Sequence, residues 1–254
     1  HFIDNLALTD ETKKQTKLSP KFGLIFMPIK DQLSIFANYQ NSFTNEFGTD
    51  ASGQRFDPEQ ANQKEAGIKY SLFNNRITGS VSYYDILVKN IVRTDPQNLN
   101  FSIQDGEQKS KGVDAEILAN PVTGWIVLFG YGYNDSKLLK AEKDVNGLRP
   151  VGSGPRSTYN FWTNYTFTQK ALNGLGIGVS LNHASETYAF NQMPDGKLIL
   201  PAYTILGSHL TYDTKRLRLG IIVNNITNQR YWMGWSSIIP QMPRQAIGSI
   251  AVKF

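Results

Sequence analysis

The segment QKEAGIKYSLFNNR, residues 63–76, decides the fold of this chain. Its side chains alternate between apolar and polar up to a tight turn at FNNR, which is the pattern of a β-strand with one apolar face. The two faces carry Ala66, Ile68 and Tyr70 against Glu65, Gly67 and Lys69. Such a strand needs neighbours with the same pattern, because a sheet presents whole faces to its surroundings.

The same alternation recurs along the chain, while helical periodicity is almost absent. It is clear in RLRLGIIVNN, residues 216–225, and in SKGVDAEI, residues 110–117. The pattern therefore predicts an all-β chain with eleven strands. Their predicted bounds are 18–27, 31–42, 61–72, 76–91, 108–119, 125–137, 156–167, 175–187, 201–212, 216–227 and 244–254.

The connections between these strands alternate between short and long. Short ones include PIKD, FNNR, PVTG, TQKALNG and DTK. The long ones are 43–60, 92–107, 138–155, 188–200 and 228–243. In an up-and-down antiparallel sheet, this alternation places all tight turns at one end and all long loops at the other. Such sorting is typical of transmembrane β-barrels of the outer-membrane type.

Composition agrees with a barrel that has a polar interior. Hydrophobic residues make up 40% and aromatic residues 12% of the chain. A soluble barrel or sandwich with one wet face is the alternative, but predicted strands of ten or more residues exceed the usual soluble length of about 5–6. The net charge of +5 comes from scattered Lys and Arg, which favours a solvated rim over an anionic partner and predicts no nucleic-acid partner. The absence of cysteine excludes disulfides and thiolate metal sites.

Five segments, in order, resemble those of TonB-dependent outer-membrane receptors, particularly the siderophore-receptor branch. They are DPEQANQKEAGIKYSLFNNRITGSVSYYDILVKNIV (57–92), SKGVDAEI (110–117), LPAYTILGSHLTYD (200–213), VNNITNQRYW (223–232) and PRQAIGSIAVKF (243–254). The resemblance implies the C-terminal half of a 22-stranded barrel that an N-terminal plug domain fills. On this view residues 1–17 are the remnant of an extracellular loop, and the plug, the TonB box and the first half of the barrel are absent.

The same resemblance implies a function and a set of partners. We expect import of a ferric siderophore across the outer membrane of a Gram-negative bacterium, with iron present only in the cargo and with no resident cofactor. The expected partners are the protein's own plug domain, the TonB–ExbB–ExbD complex, outer-membrane lipid and the barrel assembly machinery. Cobalamin, haem or oligosaccharide as cargo, and a passive porin-like or surface barrel, are the alternatives.

The sequence contains no convincing catalytic set, so we expect no enzyme. His1, His183 and His209 are far apart and lack the spacing of a metal site. The GLGIG run at 174–178 has no preceding strand and no following helix, so it does not indicate a dinucleotide site.

Two glutamates are predicted to face the lumen. Glu65 and Glu116 lie on the polar faces of their strands. A carboxylate in a plugged lumen is partly dehydrated and needs a cationic or hydrogen-bonding partner. The resemblance implies that both pair with arginines of the plug. Local pairing of Glu65 with Lys69 or Lys111 is the alternative.

Aromatic residues in the long loops are the candidates for ligand contact, because exposed aromatic groups often mark binding surfaces. The predicted ligand-binding residues are Phe101, Tyr188, Phe190, Trp232, Trp235 and Gln241. For Tyr231 and Trp232 the alternative is anchoring at the outer membrane interface, and for the deeper loop residues it is packing within the loop. Phe254 ends the last predicted strand and resembles the C-terminal aromatic residue by which outer-membrane proteins are recognised for assembly.

Overall fold

The computed structural model describes residues 16–95, 97–234 and 237–253, and within them the fold is all-β. In chain order the strands are β1 (Lys21–Ile29), β2 (Leu33–Thr44), β3 (Glu59–Leu72), β4 (Ile77–Thr94), β5 (Ser102–Ala119), β6 (Trp125–Lys140), β7 (Ser157–Thr166), β8 (Leu175–Ala184), β9 (Thr187–Gln192), β10 (Gly196–Leu200), β11 (Tyr203–Asp213), β12 (Leu217–Asn224), β13 (Trp232–Met233), β14 (Ile239–Pro240) and β15 (Gln245–Val252). Two short 3-10 helices, Val151–Ser153 and Lys170–Leu172, lie in connections.

One sheet contains eleven of these strands, as predicted from the alternation. Its order is β1-β2-β3-β4-β5-β6-β7-β8-β11-β12-β15, and every pairing is antiparallel. Among the described strands, β1 and β15 are the two edges, so the sheet is open. The short connections all lie at one end and the long ones at the other, which confirms the predicted sorting. No helix in the described part of the chain is long and apolar enough to cross a membrane.

Two of the predicted loops are wrong in extent. The predicted loop 92–107 shrinks to residues 95–101, because β4 and β5 continue into it. The Arg93 guanidinium donates hydrogen bonds of 2.6 and 3.0 Å to the two carboxylate oxygens of Asp105 and holds the extended pair together. The predicted loop 138–155 also begins later, since β6 runs to Lys140.

The predicted loop 188–200 is a β-hairpin, and the predicted strand 175–187 is wrong at its end. The strand β8 ends at Ala184, and β9 pairs with β10 in a separate sheet. The turn between them ends at Asp195, and Gly196, the first residue of β10, has a φ of 104°, which favours glycine. A similar short pair, β13 with β14, lies within the predicted loop 228–243. Residues 1–15 of the predicted loop remnant lie outside the described residues.

The register of the sheet separates two faces. Ile68, Val81 and Ala115 are cross-strand partners on one face, and Glu65, Tyr84 and Gly112 are partners on the other. Residues Pro150 to Ser153 of the connection between β6 and β7 lie against this second face. We call it the inner face and the opposite one the outer face.

The outer face is apolar and uncovered. Ile221 is 53% exposed and Ile250 is 77% exposed, although both belong to well-paired strands. Only four hydrophobic residues of the described chain are buried, namely Phe36, Phe56, Ala184 and Leu200. A single sheet with so little core cannot be stabilised by a second protein layer, so its apolar face requires an apolar environment.

Aromatic rings on the inner face lie across glycines of the next strand. The Phe36 ring covers Gly67, where an added Cβ would lie 2.8 Å from the ring carbon Cζ. The Tyr84 ring covers Gly112, where an added Cβ would lie 2.5 Å from the Tyr84 hydroxyl and would also clash with the Tyr133 carbonyl oxygen. These glycines are therefore required by close approach rather than by backbone conformation.

Replacing Gly112 by alanine should destabilise the sheet. The added methyl group displaces Tyr84 and presses on backbone, and overpacking of this kind typically costs about 1–3 kcal/mol. Gly130→Ala is the matched control, since its Cβ would meet only the Asn160 Cβ at 4.0 Å. Denaturant titration of the full-length protein measures both variants. Equal free energies of unfolding for the two would contradict this account.

Candidate functional site

Three long connections meet at one end of the sheet. They are residues 141–156, residues 185–202 with the β9–β10 hairpin, and residues 225–244 with the β13–β14 pair. Together they enclose a small pocket of about 150 Å³, which we call the loop pocket. Its apolar walls are Val151, Pro155, Leu200, Pro201, Trp232 and Met233. The pocket therefore depends on all three connections being in place at once.

Two aromatic residues, Tyr203 and Trp232, line this pocket, and Tyr231 adjoins it through Tyr203. The rings of Tyr203 and Tyr231 lie 4.4 Å apart between centroids. Trp232 lines the pocket and is still 42% exposed. The structure thus places Trp232 where a bound molecule could contact its ring, as the ligand-binding prediction requires.

Tyr188 and Phe190 lie on β9, beside the pocket rather than in it. Thr187, the first residue of the same strand, belongs to the pocket wall. The Lys197 ammonium lies 5.8 Å from the centre of the Tyr188 ring, within the range of a cation–π interaction. The hairpin therefore presents an aromatic and cationic surface next to the pocket.

The other predicted ligand-binding residues are spread over different parts of the chain. The side-chain amide of Gln241 donates to the Ile239 carbonyl at 3.2 Å, so that amide is engaged within its own connection. Phe101 lies in the separate connection between β4 and β5, where the backbone N–H of Asp95 donates to its carbonyl. Trp235 and Phe254 lie outside the described residues.

Arg149 holds the 141–156 connection against the inner face. It is only 8% exposed. Its guanidinium donates to the Asn134 carbonyl at 2.9 Å and to the Gly154 carbonyl at 3.2 Å, with longer bonds to the Ser153 and Pro155 carbonyls. Burial lowers the pKa of Arg149, and the nearby positive charge of Arg156 lowers it further, yet an arginine keeps its charge in proteins. A buried charge of this kind is costly unless it is fully hydrogen-bonded.

The Arg149 contact continues into a polar network on the inner face. The side-chain amide of Asn134 donates to the Tyr84 hydroxyl at 3.0 Å and its oxygen accepts from Ser136 at 2.6 Å. The hydroxyls of Ser136 and Ser110 lie 2.7 Å apart. This network joins β4, β5 and β6 to the connection that Arg149 anchors.

The β9–β10 hairpin is tied to the same connection. The Asn191 side-chain amide donates to the Arg149 carbonyl at 2.9 Å, and the Met193 backbone N–H donates to the Asp144 carbonyl at 2.6 Å. Gln192 also hydrogen-bonds the Asp144 carboxylate. The sequence analysis missed Arg149, because nothing in one sequence separates it from the other loop arginines.

The predicted glutamates lie on the inner face. Glu65 accepts a hydrogen bond from Gln63 at 3.4 Å, and Glu116 accepts one from the Ser80 hydroxyl at 3.1 Å. Asp114 lies on the same face, and its charge interacts with that of Glu65. We call these three carboxylates, Glu65, Asp114 and Glu116, the acidic patch. Asp114 was not among the residues predicted from the sequence to face the lumen.

The structure does not contain the local ion pairs considered for Glu65. The Lys69 ammonium lies over the Phe36 ring, 5.4 Å from its centre. Lys111 is the cross-strand partner of Asp85 on the outer face. Across residues 16–95, 97–234 and 237–253, no group of three or more His, Asp or Glu side chains is arranged to hold a metal ion. Lys69 shares the inner face with the acidic patch, yet among the described residues none of the three carboxylates forms an ion pair.

Comparison with known proteins identifies the family. A family model described as "TonB dependent receptor-like, beta-barrel" matches residues 2–226. The chain belongs to the TonB-dependent receptor family. The match covers the strands from β1 to β12 and two of the three connections that enclose the pocket, while most of the third, residues 225–244, lies beyond it.

Curated relatives are receptors of the same kind, and a solved structure has the same fold. The chain is 29% identical to the metal-pseudopaline receptor CntO of Pseudomonas aeruginosa over 91% of its own length and 32% of that protein. It is 25% identical to the ferrichrome outer membrane transporter/phage receptor of Escherichia coli over 90% of its own length and 30% of that protein. The pyoverdine outer membrane receptor FpvA of Pseudomonas aeruginosa, bound to pyoverdine, shares the fold, with a TM-score of 0.78 at 23% identity over 93% of this chain and 36% of that one. The chain thus spans about a third of the length of the proteins that it matches.

Replacing Arg149 by glutamine should loosen two connections together. The shorter neutral side chain leaves several carbonyl oxygens without a donor, and a hydrogen bond to a charged group is worth about 1.5–3 kcal/mol. Hydrogen exchange in the full-length receptor should therefore rise by roughly tenfold or more at residues 149–155 and 191–193.

Arg156→Gln is the control for that variant. Arg156 forms an exposed ion pair with Asp135 at 3.7 Å, and such pairs are worth only about 0–1 kcal/mol. Exchange at 191–193 that stays at the wild-type rate in Arg149→Gln would show that the two connections are independent.

Proposed function

We propose that the intact protein is a TonB-dependent receptor that imports a ferric siderophore across the outer membrane of a Gram-negative bacterium. This chain supplies part of the barrel wall, the ligand-capturing loops and the docking surface of the plug. The observation that carries the proposal is a single antiparallel sheet with an apolar outer face, a polar inner face and an aromatic loop pocket at one end. The process is transport, with no chemical change in the cargo required of these residues.

Aromatic side chains support the placement in a membrane. Near the short connections, Trp125 and Tyr165 are cross-strand partners on the outer face, and the rings of Tyr165 and Phe167 meet edge to face at 5.0 Å. Nearer the long connections, the rings of Tyr131 and Tyr159 stack at 5.0 Å. Two aromatic belts flanking an apolar band are typical of outer-membrane barrels, where they lie at the two interfaces.

The loop pocket suits capture of a metal chelate from outside. A ferric siderophore presents apolar flanks together with polar oxygens around the metal. Trp232 and Tyr203 offer apolar contact in the pocket, and Lys197 beside Tyr188 offers positive charge on the adjoining hairpin. Because the pocket is small, we expect it to hold one flank of the chelate while the plug and the remaining loops of the intact receptor hold the rest.

The acidic patch suits docking of a plug domain. Carboxylates that become enclosed need cationic partners, and the described chain provides none for Glu65. Arginines of the plug would pair with Glu65, Asp114 and Glu116 and hold the lumen closed. Energy from the TonB–ExbB–ExbD complex would then be used to rearrange the plug and admit the cargo.

A binding assay on the full-length receptor tests the cargo. The ligands are hydroxamate and catecholate ferric siderophores, a nickel or zinc metallophore chelate, haem, cobalamin and an oligosaccharide. We expect tight binding of a ferric siderophore, and a loss of about 10–100-fold in affinity in Trp232→Ala, the usual effect of removing an aromatic anchor. The nickel or zinc arm is included because one relative is a metal-pseudopaline receptor.

Leu99→Ala is the control, because Leu99 is an exposed apolar residue in a different loop. Wild-type affinity in Trp232→Ala would remove the loop pocket from the binding site. Binding of haem, cobalamin or oligosaccharide in place of every metal chelate would refute the siderophore assignment.

Neutralising the acidic patch tests plug docking. In the full-length receptor, the triple variant Glu65→Gln, Asp114→Asn, Glu116→Gln should increase hydrogen exchange in the plug and sensitise cells to large antibiotics, because the plug loses its ionic partners. Asp85→Asn, which removes a carboxylate from the outer face, should leave both unchanged. Plug exchange that is identical in the two variants would refute the docking role.

A further inference from the structure

The loop pocket lies at the end of three neighbouring strands of the sheet, β7, β8 and β11. Pro155 comes two residues before β7, Ser185 directly follows β8, and Tyr203 is the first residue of β11; all three line the pocket. The inner faces of these strands therefore lead from the pocket toward the short connections at the opposite end.

The inner face of β6, β7, β8 and β11 carries almost no charge. The strands β7 and β8 contain no Asp, Glu, Lys or Arg. On the inner face of β6 and β11 the only such residue is Asp213, at the last position of β11. We call this surface the neutral sector. It adjoins the acidic patch, which lies on β3 and β5.

Two asparagines form the first row of the neutral sector beyond the pocket. Asn160 and Asn182 are cross-strand partners, and they lie two residues along their strands, or about 7 Å, from the row that contains Tyr203. Both residues are exposed, and within the described chain neither side-chain amide has a hydrogen-bond partner. Beside Asn160 lies Gly130, where an added Cβ would meet only the Asn160 Cβ at 4.0 Å. The row therefore offers free donors and acceptors over an open surface.

A groove of about 820 Å³ runs along this part of the inner face. Its neutral side contains the two asparagines together with Trp162 and Ser180, and its other side contains Lys69 and Glu116. A molecule that moves along the neutral side meets amides, a hydroxyl and an indole ring. These groups suit the mixed polar and apolar surface of a metal chelate.

The acidic patch and the neutral sector differ in how firmly each would hold a plug. Arginines paired with enclosed carboxylates are costly to separate, because a buried charge is then left without its partner. Hydrogen bonds to neutral amides and hydroxyls cost less to break, since water replaces the lost partner. A plug under tension therefore separates from the neutral sector before it leaves the acidic patch.

We propose that the neutral sector is the wall along which the cargo passes from the loop pocket to the periplasm, with Asn160 and Asn182 as its first contacts. The plug stays paired with the acidic patch and opens on the other side. Uncharged amides bind the polar oxygens of a chelate and release them again, whereas carboxylates repel those oxygens. The inference rests on the proposed transport function and adds the side of the lumen that opens.

Thiol labelling in cells tests which side opens. The chain has no cysteine, so Asn160→Cys and Asn182→Cys each introduce a single thiol into it. Cells that produce the full-length receptor are treated with fluorescein maleimide, and the cargo probe is a mixture of hydroxamate and catecholate chelates of iron-55. Labelling at both positions should rise by roughly tenfold or more when the probe and TonB are both present, because opening exposes protected groups. The bulky adduct should then lower iron-55 uptake.

Ser82→Cys is the matched control. Ser82 lies on the inner face beside the acidic patch, as the cross-strand partner of Asp114, and its labelling should not depend on TonB. An equal TonB-dependent rise at Ser82 and at the two asparagine positions would show that the whole plug leaves the wall. A rise at Ser82 alone would put the path on the charged side. Either result overturns the proposal, and so would iron-55 uptake without a rise at positions 160 and 182.

Iron-55 uptake by the wild-type receptor distinguishes a failed path from a failed transport function. If the wild type takes up none of the probe, the proposed transport function fails and the path fails with it. If the wild type takes up iron-55 but the three cysteine sites behave alike, only the path fails. Ser180→Cys, in the next row of the neutral sector, provides a further site if an asparagine variant does not fold.

Discussion

An apolar outer face without a second protein layer is the constraint on which the rest of the structure depends. Residues such as Ile221 and Ile250 are exposed although they lie in regular strands. The sheet therefore gains little from a core, and its strands are held by backbone ladders and by cross-strand contacts on the inner face. On the inner face, aromatic rings such as Tyr84 press on glycines such as Gly112.

The polar inner face follows from the same constraint. Polar groups converge on the inner face, where each buried one needs a partner. The network of Tyr84, Asn134 and Ser136 satisfies its members and also fastens a loop to the wall. The acidic patch is the exception, since its carboxylates have few donors within the described chain. The inner face thus combines a hydrogen-bonded network whose members are satisfied with a carboxylate patch that has few donors in the described chain.

The sequence alone predicted the sheet well. Each strand alternates between apolar and polar side chains because the two faces of the sheet differ in polarity, and this alternation can be recognised within a short segment. It placed Glu65 and Glu116 on their correct faces. The prediction was wrong where contacts between separate segments of the chain determine the structure. The extension of β4 and β5 depends on the bidentate pair of Arg93 with Asp105, and the β9–β10 hairpin depends on contacts with a connection some forty residues earlier. Contacts between distant loops leave no periodic trace in one sequence.

The acceptors around Arg149 have a consequence for how the loops can vary. Four are main-chain carbonyls and the fifth is the amide oxygen of Asn134, so none gains or loses a proton. The fastening therefore does not respond to acidity. It also places almost no demand on the side chains of residues 153–155, because any sequence that follows the same backbone path offers the same carbonyls. A loop held by its main chain can change its surface, and with it the molecules that it recognises, while keeping its shape.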